Sequence, residues 1–457
     1  MEVKSIRLNN IGRFKELTVP LAPTPDAPSN ITVLIGNNGA GKTSILRSLA
    51  TSMSWLVSRL RTLKGSGSPI PEEVILNEAS SGSVNVFVVN DFGRFSSDEA
   101  DIESSCFNWT IAKVKKGKKG FHTSDLHEVG LLADAYKELL SSNKLASLPL
   151  IAFYPVERVV LDIPLKIKEK HTFLQLDGYD NSLNQGVDFR RFFEWFRERE
   201  DAENESGISE EILNHLMDRF GRDPDFRETL QELNSTSRDS QLTAVRKAIS
   251  SFMTGFNNLQ VRRKPRLHMS IDKDGKTLNV LQLSQGEKSL MALVGDIARR
   301  LAMMNPSMDN PLEGDGVVLI DEVDMHLHPT WQRNIISKLA STFPNCQFIV
   351  TTHSPLVISE CKDALVYSVE SDGLVQVQSQ YGQDANSVLL DVMNTHARNA
   401  NVTKQISDIL DLIYDGLISE ARVKLADLSE NIPSDNIELA RLKLLLRKKE
   451  LKSDKNI

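Results

Sequence analysis

Eight residues, Gly36-Asn37-Asn38-Gly39-Ala40-Gly41-Lys42-Thr43, follow the run Ile31-Thr32-Val33-Leu34-Ile35 and lead into a helix-forming stretch that runs from Lys42 to about Arg61. No other feature restricts the fold so tightly. The run before the loop has the composition of a parallel strand buried on both faces. The spacing G-x-x-x-x-G-K-[ST] puts glycines where backbone N–H groups must curl around a polyphosphate and a side chain would collide. The helix predicted to begin at Lys42 turns its positive end toward the same anion. Lys42 is placed to neutralise β/γ-phosphate charge, and the Thr43 hydroxyl is suited to Mg²⁺. Gly36, Asn37, Asn38, Gly39, Ala40, Gly41, Lys42 and Thr43 are therefore the expected nucleotide contacts, in an α/β fold.

A second element supports the first. Val317-Val318-Leu319-Ile320 reads as a buried strand that delivers Asp321 and Glu322 at its carboxyl end, where ligands gather in parallel sheets. Asp321 is placed to hold the Mg²⁺ shell, and Glu322, one step beyond, to act as general base on a water. Between the two motifs lies Leu283-Ser284-Gln285-Gly286-Glu287-Lys288-Ser289, followed by an apolar helix pattern. Ser284 and Gly286 are small groups at a helix start and suit a γ-phosphate. One phosphate tail is not easily held by two helix starts of one chain from opposite sides, so these residues are expected to meet the nucleotide of a second subunit. Ser284 with Glu287 three positions on also forms a capping box, and both readings can hold together. Asp324 joins the site on the loop after the carboxylates. His326 and His328, two apart with no third ligand motif, read as loop residues rather than a metal site. His353, after the strand-like Phe348 to Thr352, is placed to sense the γ-phosphate.

The rest of the chain organises around these motifs. Val3, Ile6 and Leu8, then Leu17, Val19 and Leu21, read as strands around a turn at Ile11-Gly12-Arg13-Phe14; Val84 to Val89 and Cys106 to Val114 are further strands. From about Asp162 the sequence becomes dense in charge and helix formers, including the stretch after Ser209. There Leu242, Val245, Ile249, Phe252 and Phe256 recur at helical spacing. The expected organisation is a head in two pieces, 1–160 and 265–386, a helical insertion at 161–264, and a helical segment at 387–457.

Composition bounds the class. The 457 residues carry 54 Lys plus Arg and 61 Asp plus Glu, a formal charge of −7, which argues against wholesale coating of nucleic acid but leaves room for local basic strips. The densest strip is Lys113, Lys115, Lys116, Lys118 and Lys119, expected at a hairpin tip and flanked by Phe107, Trp109 and Phe121; Arg262-Arg263-Lys264 with Arg266 and the stretch Arg441 to Lys455 are two more. Such cations neutralise phosphates without reading sequence. Cys106, Cys346 and Cys361 are too few for a disulfide framework. With a charged start and no apolar stretch of about 18 residues, a cytoplasmic protein without a membrane span is expected.

In their order, the phosphate loop, the Leu283-Ser-Gln-Gly-Glu segment, Asp321-Glu322, the Asp324 loop and His353 resemble the ATP-binding-cassette head of the RecF and SMC class, over roughly residues 1–155 and 265–360. Ile11-Gly12-Arg13-Phe14, His326-Leu327-His328-Pro329-Thr330-Trp331-Gln332 and Thr352-His353-Ser354-Pro355 are similar to the smaller AAA-type ATPases of bacterial anti-phage defence, the PtuA-like ATPases of Septu systems and some retrons. The resemblance implies a P-loop ATPase using ATP and Mg²⁺, closing as a dimer around two nucleotides. It also implies double-stranded DNA as the target and a partner HNH nuclease of the PtuB type. No Asp-x-Asp pair of a Toprim nuclease follows His353, so any nuclease is expected in the partner. The alternative is a RecF- or SMC-like repair ATPase acting on DNA ends or gaps. A transporter ATPase fits less well, because an insertion of domain size separates Lys42 from Ser284. Two departures stand out: no glutamine loop is evident after Ala152-Phe153-Tyr154-Pro155, and Gln285 and Glu287 stand where transporter cassettes commonly carry Gly and Gln.

Overall fold

The structure, a computed structural model, describes residues 1–91, 105–120, 123–156, 173–184, 187, 189–206, 238–370, 373–393, 395 and 399–453. The chain divides into two compact units, Met1–Gln383 and Asp384–Ile457.

In the first unit, β1 (Glu2–Ile11) and β2 (Phe14–Pro20) make a hairpin around Gly12-Arg13. β3 (Ile31–Ile35) leads through the glycine loop into α1 (Lys42–Arg61). β4 (Ser81–Asn90), β5 (Ser105–Val114), α2 (His127–Ser142), β6 (Leu150–Tyr154) and α3 (Phe189–Ser206) follow. Next come α4 (Ser240–Phe252), β7 (Phe256–Arg262), β8 (His268–Lys273), β9 (Lys276–Asn279) and α5 (Gln285–Met304). The unit ends with β10 (Gly316–Ile320), α6 (Pro329–Thr342), β11 (Cys346–Thr351), α7 (Pro355–Ile358), β12 (Leu365–Glu370) and β13 (Gly373–Gln376).

The sheet that positions the site has the order β13-β12-β3-β11-β10-β6, parallel throughout except for the antiparallel edge strand β13. β3, β6, β10 and β11 are buried at every residue, which explains their mainly apolar and β-branched runs; the one buried side-chain amide among them, Gln347 on β11, is paired with Val3 and Ala22. Ile320 stands beside Tyr154 on one side and Val350 on the other, and Thr351 stands beside Leu34. The carboxyl ends of four strands therefore form one row. Two of these strands precede residue 160 and two follow residue 310, so a single sheet is assembled from both ends of the unit.

A second, antiparallel sheet has the order β2-β1-β4-β5. Val3, Ile6, Leu8 and Ile11 of β1 are buried there. α5 is buried along most of its length, including Asp296, Arg299 and Arg300. Asp296 pairs with Arg299 and Arg300 at 2.7 Å each and accepts a 2.9 Å hydrogen bond from the Tyr154 hydroxyl, so the buried charges compensate one another.

The segment 161–264 is not wholly helical. Its last part is β7, paired antiparallel with β8 in a three-stranded sheet with β9. Gly255 at φ 86° ends the helical period after α4, so Phe256 leaves the stripe of Leu242, Val245, Ile249 and Phe252 and is buried on a strand instead. The helical expectation for the stretch after Ser209 lies outside the described residues.

The second unit contains α8 (Ala385–Asp391), α9 (Ala400–Tyr414), α10 (Ile418–Asn431) and α11 (Ile437–Ser453). Ile406, Ile409, Ile413, Leu425, Leu428 and Leu442 meet in its core. Among the described residues, no helix is long and apolar enough to cross a membrane.

Candidate nucleotide site

The loop between β3 and α1 is shaped by three glycines in the left-handed region: Gly36 at φ 141°, Gly39 at φ 76° and Gly41 at φ 105°. Two of them also answer to packing. A Cβ at Gly36 would stand 2.5 Å from the Val369 carbonyl oxygen, and one at Gly41 would stand 2.5 Å from the Phe14 ring. Gly39 has no atom within 4 Å of its Cβ position, so the crest of the loop is open and its glycine is set by backbone conformation alone. Arg13, on the β1–β2 turn, donates to the Gly39 carbonyl at 3.2 Å and steadies that crest.

Lys42 is buried and folds back onto the loop, donating to the Gly36 and Asn37 carbonyls at 2.8 and 3.1 Å. Burial lowers its pKa below the ordinary lysine value. The charges of Asp321, Glu322 and Asp324 oppose the shift, which puts all three carboxylates within electrostatic reach of the ammonium. Thr43 follows at the start of α1, beside a cavity of about 420 Å³ that Arg47, Phe153 and Pro155 also line. A threonine hydroxyl and a carboxylate at such a loop are hard oxygen donors, the set that suits Mg²⁺.

Asp321 is buried at the end of β10, and its N–H donates to the Tyr154 carbonyl at 2.9 Å. Thr351, fully buried on β11, donates its hydroxyl to Asp321 Oδ1 at 2.6 Å and accepts the Glu322 N–H at 2.7 Å. Glu322 has φ 46°, an unusual backbone for a non-glycine residue and one that costs of order 1–3 kcal/mol. The Thr351 hydroxyl, by accepting the Glu322 N–H, helps to hold that backbone conformation. Asp324 accepts from the Thr352 hydroxyl. His353, half-buried between these groups, has its pKa lowered by burial and then by the Lys42 charge, against the pull of Glu322, Asp324 and Asp321.

Ser284 caps α5. Its hydroxyl accepts the Glu287 N–H at 3.3 Å while its own N–H donates to Glu287 Oε2 at 2.8 Å, the expected capping box. Lys273 pairs with the same glutamate at 2.6 Å. Ser284 and Gln285 are exposed, whereas Gly286 packs so tightly on the loop after Asp321 that a Cβ there would lie 2.3 Å from the His326 carbonyl oxygen. Among the described residues no hydrogen bond joins Ser284 or Gly286 to the glycine loop of the same chain.

The lysine strip begins at the end of β5. Lys116, Lys118 and Lys119 are exposed and Lys113 half-buried, but Lys115 Nζ donates to the Leu76 and Asn77 carbonyls at 2.8 and 3.3 Å and so has a local task. Phe107 and Trp109 are 9% and 1% exposed, which removes them as stacking surfaces; Phe121 lies outside the described residues. Thr351, Arg13 and Phe14 support the site; in the sequence Arg13 and Phe14 stand out only as part of the Ile11-to-Phe14 turn and the resemblance it carries, and Thr351 only by its place next to Thr352-His353.

A family model described as an AAA domain matches residues 5–254, and a second, described as an AAA domain, putative AbiEii toxin, Type IV TA system, matches residues 150–359. The chain is 31% identical to the Retron Ec83 probable ATPase of Escherichia coli, over 99% of this chain and 88% of that protein. It is 34% identical to the Retron Vc95 probable ATPase of Vibrio cholerae serotype O1 biovar El Tor, over 78% and 71%. With the Septu protein PtuA of Bacillus thuringiensis it shares 22% identity over 86% and 84%.

Proposed function

Because the chain belongs to the AAA-domain family that includes the retron ATPases, we propose that it is the nucleotide-driven subunit of an anti-phage defence complex, in which ATP sets the geometry of a dimer and thereby controls a partner HNH nuclease. The chain is an ATPase of the PtuA-like type. The observation that carries the reading is the grouping around Lys42: the lysine at the glycine loop lies within electrostatic reach of Asp321, Glu322 and Asp324, and so does His353.

In this reading the backbone of Gly36 to Thr43 and the Lys42 ammonium hold the polyphosphate of ATP. Thr43 and Asp321 would hold Mg²⁺, which supplies charge neutralisation when bound. Thr351 keeps Asp321 and Glu322 at fixed angles, so that the Glu322 carboxylate takes the proton of an incoming water. His353, kept neutral at pH 7 by burial and by Lys42, donates or accepts one hydrogen bond at the γ-phosphate. Positioning and charge account for nearly all catalysis at sites of this kind. Ser284 and Gln285, exposed at the start of α5, are available to the nucleotide of a second protomer, and Gly286 ties that segment to the Asp324 loop. DNA is engaged through Lys113, Lys116, Lys118 and Lys119 or through the nuclease.

Purification of the chain together with the product of its neighbouring gene tests the proposal. Expected is an HNH protein in a stable complex whose cleavage of plasmid DNA differs between ATP-loaded and nucleotide-free states. A nuclease activity insensitive to nucleotide, or the absence of a nuclease, would overturn it.

A further inference from the structure

Gln332, on the first turn of α6, lies between the loop that carries Asp324 and the strand end that carries His353. Its Nε2 donates to the Leu327 carbonyl at 2.9 Å and points toward the Asp324 carbonyl at 3.5 Å, while its Oε1 accepts from the Ser354 hydroxyl at 2.8 Å. The Ser354 N–H donates to the Thr352 hydroxyl at 3.0 Å, and that hydroxyl donates to the Asp324 carboxylate. The Leu327 N–H closes the circuit by donating to the Asp324 carbonyl at 3.1 Å. Asp324, Thr352, Ser354, Gln332 and Leu327 thus form one hydrogen-bonded ring, and His353 is the residue between two of its members.

We infer that Gln332 is a positioning residue that couples the Asp324 loop to His353, so that the two loops move as one unit when a second protomer presses on the former. The inference rests on the assignment of His353 to the nucleotide site. Three observations carry it. The amide orientation is set by its partners: reversed, its oxygen would face two carbonyl oxygens. Neither Thr352 nor Ser354 can leave without losing a partner, because both are buried and each serves two bonds of the ring. The loop is also gripped from its other side, where the His326 carbonyl packs against Gly286 beside the exposed Ser284. Contact made at the Asp324 loop by a second protomer therefore has a hydrogen-bonded route to Thr352 and Ser354, on either side of His353, and contact at Ser284 reaches that loop through the packing at Gly286. The ring has one weak member, the side chain of Gln332, which within it alone joins α6 to the His353 segment.

A carboxylate at this position could accept from Ser354 but would confront the Leu327 and Asp324 carbonyls, whereas a thioether of the same length would only remove the links. The experiment is steady-state ATP hydrolysis by the full chain carrying Gln332→Met, Gln332→Glu, Ser354→Ala, the Gln332→Met/Ser354→Ala pair, or His353→Ala, with melting temperatures alongside. Expected is a fall in kcat of about tenfold for Gln332→Met, a larger fall for Gln332→Glu, KM for ATP within twofold, and a double variant no slower than the slower single one. Unchanged kcat in Gln332→Met while His353→Ala is slow would overturn the inference and leave the site assignment standing. Full turnover in His353→Ala would overturn both. Reductions that multiply in the double variant, or that follow the melting temperature alone, would assign Gln332 a purely structural task and overturn the coupling.

Discussion

Thr351 donates its hydroxyl to Asp321 Oδ1 across 2.6 Å, from the last residue of β11 to the first residue beyond β10. The same oxygen accepts the N–H of Glu322 at 2.7 Å, so one side chain orients the metal-ligand candidate and the backbone of the base candidate together. Replacement by valine keeps the shape and removes both bonds. Because Thr351 is fully buried, Thr351→Val should destabilise the first unit by about 1–3 kcal/mol and slow hydrolysis, read as a lower melting temperature and a lower kcat. Wild-type turnover in a normally folded variant would remove Thr351 from the site.

Glu322→Gln tests the base. The amide preserves the size and the φ 46° backbone but takes no proton. Hydrolysis should fall by about 10²–10⁴-fold while ATP binding persists and closed dimers accumulate on a sizing column. Unchanged phosphate release would move the role of base elsewhere.

Lys42→Met separates function from stability. Burial lowers the pKa of Lys42, so the charged form costs the folded state stability at neutral pH, even with its two carbonyl partners. The variant should lose nucleotide binding in a filter or fluorescence assay and melt no lower than the nucleotide-free wild type. A much lower melting temperature would show that the two carbonyl bonds outweigh the burial of charge.

His353 gives the protein a pH dependence of known sign. Its folded pKa lies below the ordinary value of about 6.5, because burial and then Lys42 disfavour the imidazolium. The unfolded chain therefore takes up the proton first as pH falls. The stability contributed by neutral His353 is complete above the unfolded value and is lost as pH falls through the folded one. Wild type should lose more thermal stability than His353→Gln between neutral pH and about pH 5. Parallel melting curves across that range would contradict the burial of a neutral imidazole.

The lysine strip tests DNA binding. Lys113, Lys116, Lys118 and Lys119 are available, whereas Lys115 is tied to two carbonyls and is left in place. Changing the four to glutamine should weaken DNA binding equally across sequences, and the logarithmic salt slope should flatten by about one for every phosphate no longer neutralised. An unchanged slope would make the strip a solvated turn.

Most of the frame was legible in the order of residues. A strand buried on both faces must be mostly apolar, a phosphate loop needs glycine at fixed spacing, and a parallel sheet collects its carboxyl ends in one row; Gly36 to Thr43, Asp321, Glu322 and His353 satisfy those local demands without reference to partners. The capping box at Ser284 is likewise local, spanning the four residues from Ser284 to Glu287. β7 escaped sequence reading because Phe256 continues the apolar period of α4, and the reversal depends on Gly255 adopting φ 86°.

The contacts that finish the site are of another kind. Thr351 meets Asp321 only because β11 lies beside β10 in this register, Phe14 enforces Gly41 only because the β1–β2 turn folds over the loop, and Gln332 joins two loops only because α6 starts between them. Each links residues far apart in the chain through a few ångströms of space. Residue type and periodicity set which elements form and which ends carry charge. Packing of those elements alone decides which hydroxyl, amide or ring reaches them, because hydrogen bonds act over about 3 Å and no local pattern encodes a neighbour that close.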